Sequence, residues 1–274
     1  MNTARLAGLF AVLVALFGGL GYLFMGVGGL VMGLLLAGAM NFASYFYSDR
    51  IVTKMHGARK LERSEAPELH EMTENLADKA GIPVPDLYVM DNGTPNAFAT
   101  GRNPDNAIVC VTSGLLNTLS QDEVEGVVAH ELSHVKNRDT LIQTVAGTLA
   151  GGISLVAQML AFGMMDDEGG NPLVMLGGLL LAPLAASMIK MAISRSREFS
   201  ADATAATMTD PGNLASGLRT IESSVSRSPM KNGARGASHM FIVNPFRGES
   251  LAKLFSTHPP TEERIRRLEQ MQGN

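Results

Sequence analysis

From Leu6 to Ser48 the chain runs for 43 residues without one charged side chain. Built as helix, that stretch would measure roughly 64 Å at 1.5 Å per residue, about twice the hydrocarbon thickness of a bilayer. It therefore predicts two membrane spans. The reversal falls in the glycine-rich centre, at Gly18, Gly19, Gly21, Gly26, Gly28 and Gly29. Arg5 ahead of the run and Ala37-Gly38-Ala39 inside it superficially suggest a cleaved signal peptide. The apolar run is too long for a signal core and reads as a retained anchor. Two further uncharged runs, Thr140–Met165 and Gly169–Ile189, lie on either side of Asp166, Asp167 and Glu168 and predict a second hairpin. Residues 1–48 and 140–194 thus form four transmembrane helices in two hairpins.

Basic residues assign the sides of the membrane. Arg50, Lys54, Arg59, Lys60 and Arg63 follow the first hairpin, Lys136 and Arg138 precede the second, and Lys190, Arg195 and Arg197 close it. The loop between the third and fourth spans has neither Lys nor Arg. The positive-inside rule then places both termini and both polar regions, 49–139 and 195–274, in the cytoplasm. The lone Cys110 suits that reducing side and excludes an internal disulfide or a cysteine-based zinc cluster. A net charge of −4 with no basic block argues against nucleic acid as a partner.

The polar regions read as two halves of one α+β domain, mainly helical with a small sheet. Pro67 opens a helix that Gly81 ends, with Leu69, Met72, Leu76 and Ala80 on one face. Strands are predicted at Val84–Met90, Asn96–Gly101 and Ala107–Thr112, separated by turn-rich Asp91-Asn92-Gly93 and Asn103-Pro104-Asp105-Asn106. Ser120 and Glu123 have the spacing of a capping box and start a helix with Val124, Val127, Val128, Leu132 and Val135 towards a core. In the second half, helices are predicted near 198–209 and 211–225. A Gly/Ser/Arg-rich stretch from Ser226 to Ser238 reads as mobile. A last amphipathic helix begins at Thr261, with Ile265, Leu268 and Met271 spaced for packing.

Inside the capped helix stands His130-Glu131-Leu132-Ser133-His134. Histidines at i and i+4 share a helix face, so both imidazoles can converge on one ion, and Glu131 projects beside them, within reach of a water but not as a ligand. An ion so held needs a third protein ligand and an open position. The extended motif would require Gly and His at positions 137 and 140, which are Asn137 and Thr140. A carboxylate is the next choice. The predicted second hairpin returns the chain to the same membrane face near Ser194, so Glu198 emerges one turn beyond, either as that ligand or as a solvated carboxylate beside Arg195 and Arg197. Asp202, four residues on, is placed to hold a ligand histidine through its second nitrogen. His56, His70 and His239 match no ligand spacing and read as surface residues.

With these residues assembled, the chain resembles the HtpX family of bacterial membrane zinc endopeptidases over nearly its whole length. The likeness rests on HELSHVKNRDT at 130–140, SREFSADA at 196–203, PNAFATG at 95–101 and STHPPTEERI at 256–265. It implies a zincin-like fold and one Zn2+ per chain held by His130, His134 and Glu198, with Asp202 behind a ligand. It implies Asn96 and His258 at the cleft, His258 steadying the oxyanion, and the strand Asn96, Ala97, Phe98 and Ala99 pairing with an extended substrate. It further implies residence in the bacterial inner membrane and a part in membrane protein quality control under stress. The partners expected are the lipid bilayer and membrane proteins with unfolded or exposed cytoplasmic segments.

Four rivals are weighed against this reading. An intramembrane protease would carry its motif inside an apolar span, whereas Asp122, Glu123, Glu125, Lys136, Arg138 and Asp139 surround this one. A CAAX prenyl protease shares a similar zinc core but is longer, with more spans. A catalytically silent zinc scaffold has no use for Glu131 and would close its fourth position. A transporter would need polar residues in its spans.

Overall fold

The computed structural model describes residues 57–139, 194–227 and 259–273, with residues 26–36 and scattered positions between 11 and 42. The chain divides into two compact units, Met1–Phe46 with Leu141–Ile193, and Tyr47–Thr140 with Ser194–Asn274.

In the first unit residues 26–36 are continuous helix, and its large side chains Val27, Val31, Met32, Leu35 and Leu36 are exposed. A Cβ added at Gly18 would lie 3.1 Å from Leu34 and 3.3 Å from Leu30. Gly18 therefore lies against this helix. Among the described residues no helix is long and apolar enough to cross a membrane. Most of the predicted first hairpin, and all of the second but Ser194, lie outside the described residues, as do His56, His239, His258 and positions 228–238.

The second unit is mainly helical with a small mixed sheet. Its elements are β1 (Arg59–Lys60), α1 (Pro67–Ala80), β2 (Asp86–Met90), β3 (Ala97–Gly101), β4 (Ala107–Thr112), α2 (Ser113–Thr118) and α3 (Gln121–Asn137). After the second unit resumes come α4 (residues 194–205), α5 (Pro211–Arg227) and α6 (Thr261–Gln272). The sheet order is β1-β2-β4-β3, with β2 and β4 parallel and both outer pairs antiparallel. β3 is thus an edge strand, and β4 is buried along its whole length.

The local signals act as expected. Pro67 sits in the first turn of α1, and Gly81 ends that helix in the left-handed region at φ 68, a conformation glycine adopts without steric cost. Ser120 and Glu123 form the full capping box of α3. One face of the sheet contributes Leu87, Val109 and Val111 to a core shared with Val127, Val128 and Leu132 of α3 and Leu214, Leu218 and Ile221 of α5. The other face gathers Met90, Phe98 and Cys110. Burial pushes the Cys110 thiol up to about 12, so it is an inert packing residue.

The strand β1 was not foreseen. Its two residues are charged and exposed, so it carries no apolar alternation to read. The helix expected from about 198 to 209 starts earlier and ends at 205. Met271, expected to pack, is exposed; Ile265 and Leu268 carry the buried stripe of α6 instead.

Helices α3 and α5 approach closely at Gly126. A Cβ there would lie 2.4 Å from the backbone nitrogen of Leu214, a contact that no rotamer change relieves. Gly126→Ala should therefore lower stability by about 1–3 kcal/mol despite alanine's better helix propensity. Thermal unfolding of the purified variant checks this, and an unchanged or raised midpoint would contradict the packing described.

Candidate metal centre and active site

The capping box fixes where α3 begins, and the helical repeat then sets His130 and His134 one turn apart on one face. Their Nε2 atoms are 3.1 Å apart. Glu198, on α4, completes the group, with Oε2 3.5 Å from His130 Nε2 and Oε1 3.5 Å from His134 Nε2. Ligands bound tetrahedrally at about 2.0–2.1 Å stand roughly 3.3–3.4 Å from one another. The three spacings bracket that value, so the donor set fits a single divalent ion. Glu198 is 1% exposed, which excludes a solvated carboxylate.

Behind each histidine stands a carboxylate, and behind each carboxylate an arginine. His130 Nδ1 meets Asp202 Oδ1 at 2.9 Å. Asp202 accepts two hydrogen bonds from Arg264, 2.9 Å from Nε and 2.7 Å from Nη2. His134 Nδ1 meets Asp139 Oδ2 at 3.0 Å, and the other Asp139 oxygen is paired with Arg197. With each Nδ1–H donating to its aspartate, both Nε2 lone pairs turn towards the donor cluster.

The electrostatics follow from burial and these partners. Burial works against ionised Asp202, but the Arg264 charge and the hydrogen bonds from His130 and Arg264 outweigh it and hold the carboxyl down at about 2. Burial and Arg264 depress the His130 imidazole, yet its bonds to Asp202 and Glu198 prevail and lift it to about 9. Burial, then the neighbouring His130 charge, leave His134 below its ordinary value.

Glu131 leaves the same helix turned towards β3. Its Oε2 accepts a hydrogen bond from the Ala99 backbone N–H at 2.9 Å. Burial raises its carboxyl above the usual range, opposed by the two histidines and the Ala99 bond. A carboxylate so placed beside an ion site is suited to take up a proton and pass it on.

His130, Glu131, His134, Glu198 and Asp202 are thus brought together. Of the strand residues Asn96, Ala97, Phe98 and Ala99, Ala99 bonds to the site through its backbone N–H. Asn96 is buried, with its N–H donating to Thr112 Oγ1 and its carbonyl accepting from the Thr112 N–H and hydroxyl. Phe98 packs with Met90 and Cys110 on the far face of the sheet. Outside the sequence expectations are Asp139 and Arg197, read there only as flanking charges, and Arg264. For Arg264 a signal existed: it lies beside Ile265 and four residues before Leu268, on the buried stripe of α6.

A buried His-His-Glu donor set with a carboxylate beside it on the same helix defines a metal-dependent peptidase. Residues 63–272 match the sequence pattern of peptidase family M48. The chain is 52% identical over 250 residues to a protein named Protease HtpX homolog from Thermococcus sibiricus, covering 88% of this chain and 86% of that one. A protein of the same name from Salinibacter ruber is 50% identical over 277 residues, covering 100% of this chain and 99% of the relative. The chain belongs to the HtpX proteases of peptidase family M48 and is a metalloendopeptidase. Its fold is similar to the crystal structure of S. mikatae Ste24p, with a TM-score of 0.59 at 20% identity, covering 96% of this chain. The chain spans 62% of the length of that larger protein.

Proposed function

We propose that the protein is a membrane-anchored zinc endopeptidase that hydrolyses misfolded or damaged membrane proteins from the cytoplasmic side of the bacterial inner membrane. Residues 1–48 and 140–194 are its two hairpin anchors, and 49–139 with 195–274 its protease domain. The carrying observation is the buried donor triangle of His130, His134 and Glu198 with Glu131 beside it. Two imidazoles and one carboxylate suit zinc among the divalent metals. The apolar side chains exposed along residues 26–36, within the 43-residue uncharged run, support the anchor.

His130, His134 and Glu198 would hold the ion, which when bound supplies Lewis acidity towards the scissile carbonyl and an attacking water. Glu131 takes the proton of that water and hands it to the leaving amine, its carboxylate aimed by the Ala99 N–H. β3, at the sheet edge beside Glu131, offers backbone groups to an extended peptide. His258 we assign to steadying the oxyanion.

Detergent-solubilised protein should cleave an unfolded substrate such as casein, lose that activity to a chelator and regain it with added zinc. Failure of fully zinc-loaded, folded protein to cleave casein or any unfolded membrane protein would overturn the proposal. Restoration by a different metal but not by zinc would overturn the choice of ion.

A further inference from the structure

We propose that Asp139 is a positioning residue for His134, fixing which imidazole nitrogen faces the ion and holding the ring in that orientation. The inference rests on the reading of His134 as a metal ligand and extends it to a residue outside the HExxH motif. Asp139 Oδ2 lies 3.0 Å from His134 Nδ1, while His134 Nε2 faces the donor cluster. Asp202 stands to His130 in the same relation, at 2.9 Å from its Nδ1.

The backbone is shaped to deliver this contact. Arg138 caps α3 in the left-handed region at φ 58, and it is the one described non-glycine residue with positive φ. A side-chain-bearing residue rarely adopts that conformation without compensation. Here the turn brings the next residue back onto the last ligand of the helix it has just ended. Asp139 is 1% exposed, and a carboxylate so buried requires partners. It has two, His134 on one oxygen and Arg197 on the other. Arg197 immediately precedes Glu198, so the pairing also ties the third donor's segment to the end of α3.

A purely structural alternative is that Asp139 only neutralises Arg197. Two variants of the full chain separate the roles: Asp139→Asn, and Asp139→Asn combined with Arg197→Met, which removes the paired cation as well. Zinc alone is the probe, with affinity read by competition against a chromophoric chelator and folding followed by thermal unfolding of the metal-free protein. Asp139→Asn should bind zinc 10–100-fold more weakly than the parent. The double variant should regain thermal stability while zinc affinity stays weak. At limiting zinc, cleavage by both should fall through kcat rather than KM. Parent-like zinc affinity in the double variant would overturn the proposal and leave Asp139 as a counter-ion for Arg197. A parent chain that binds no zinc, or binds it unchanged after Glu198→Gln, would refute the metal reading itself and the proposal with it.

Discussion

Replacing Glu131 by glutamine should abolish cleavage while leaving the metal in place. The side chain keeps its size, and its amide oxygen can still accept the Ala99 N–H that holds Glu131 Oε2 at 2.9 Å. What disappears is the capacity to take up a proton. General-base contributions of this kind amount to roughly 10²–10⁴-fold, so turnover should fall by about that factor. The donor atoms of His130, His134 and Glu198 are untouched, so zinc content should match the parent. Stability of the metal-free protein should move the other way. Burial raises the Glu131 carboxyl, so the ionised form penalises the folded chain above the ordinary glutamate pKa, and the neutral amide removes that penalty. A casein assay, metal analysis and an unfolding curve of the chelator-treated protein test all three. Robust proteolysis by contamination-free Glu131→Gln protein would remove Glu131 from its role.

The largest loss of stability should come from Arg264. Its guanidinium is 1% exposed, grips Asp202 through two hydrogen bonds and stands 3.5 Å from Glu198 Oε2. Burial disfavours its charge, but the Asp202 and Glu198 carboxylates reverse the balance and raise its pKa, so the cation persists. Arg264→Leu would leave Asp202 buried without its cation and Glu198 without its neighbour. Stranding one partner of a buried pair costs about 3–5 kcal/mol, a large share of the 5–15 kcal/mol typical of a folded domain. Chemical unfolding of the metal-free protein measures it. Adding Asp202→Asn to Arg264→Leu should recover part of the loss, since fewer unpaired charges remain. A loss under about 1 kcal/mol for Arg264→Leu would show that the pair is far better solvated than its burial implies.

Much of this architecture could be read from residues whose signals are local. Pro67, Gly81, Ser120 and Glu123 mark helix ends through backbone chemistry that needs no tertiary partner, and all four act where expected. The three longer strands followed from apolar runs between turn residues. The i, i+4 histidines followed from the helical repeat alone. Glu198 was different: topology left it between ligand and solvated carboxylate, the family resemblance pointed to the ligand, and its burial against both histidines removes the solvated reading. The arginines and Asp139 were hardest to read, because a charged residue in a sequence suggests water. Asp139–Arg197 spans 58 positions and Asp202–Arg264 spans 62, so each pair exists only once the chain has closed. Arg264 at least stands on the buried stripe of α6, whereas no local pattern announces the burial of Asp139 or Arg197.

The fastening of α3 determines which wall of the cleft can yield. At its start Glu123 accepts from Ser216 and Thr220 of α5, and just past its end Asp139 is held by Arg197. Along its length Gly126 sits flush against the backbone of α5. This helix is an anvil, and both imidazoles ride on it. Facing it is the edge strand β3, held by the sheet on one side alone and so the less fastened of the two walls. The Ala99 N–H on Glu131 joins the walls, so a displacement of β3 from α3 would release the proton acceptor from its aim. The imidazoles thus owe their position to the helix, while the aim of the base depends on an edge strand.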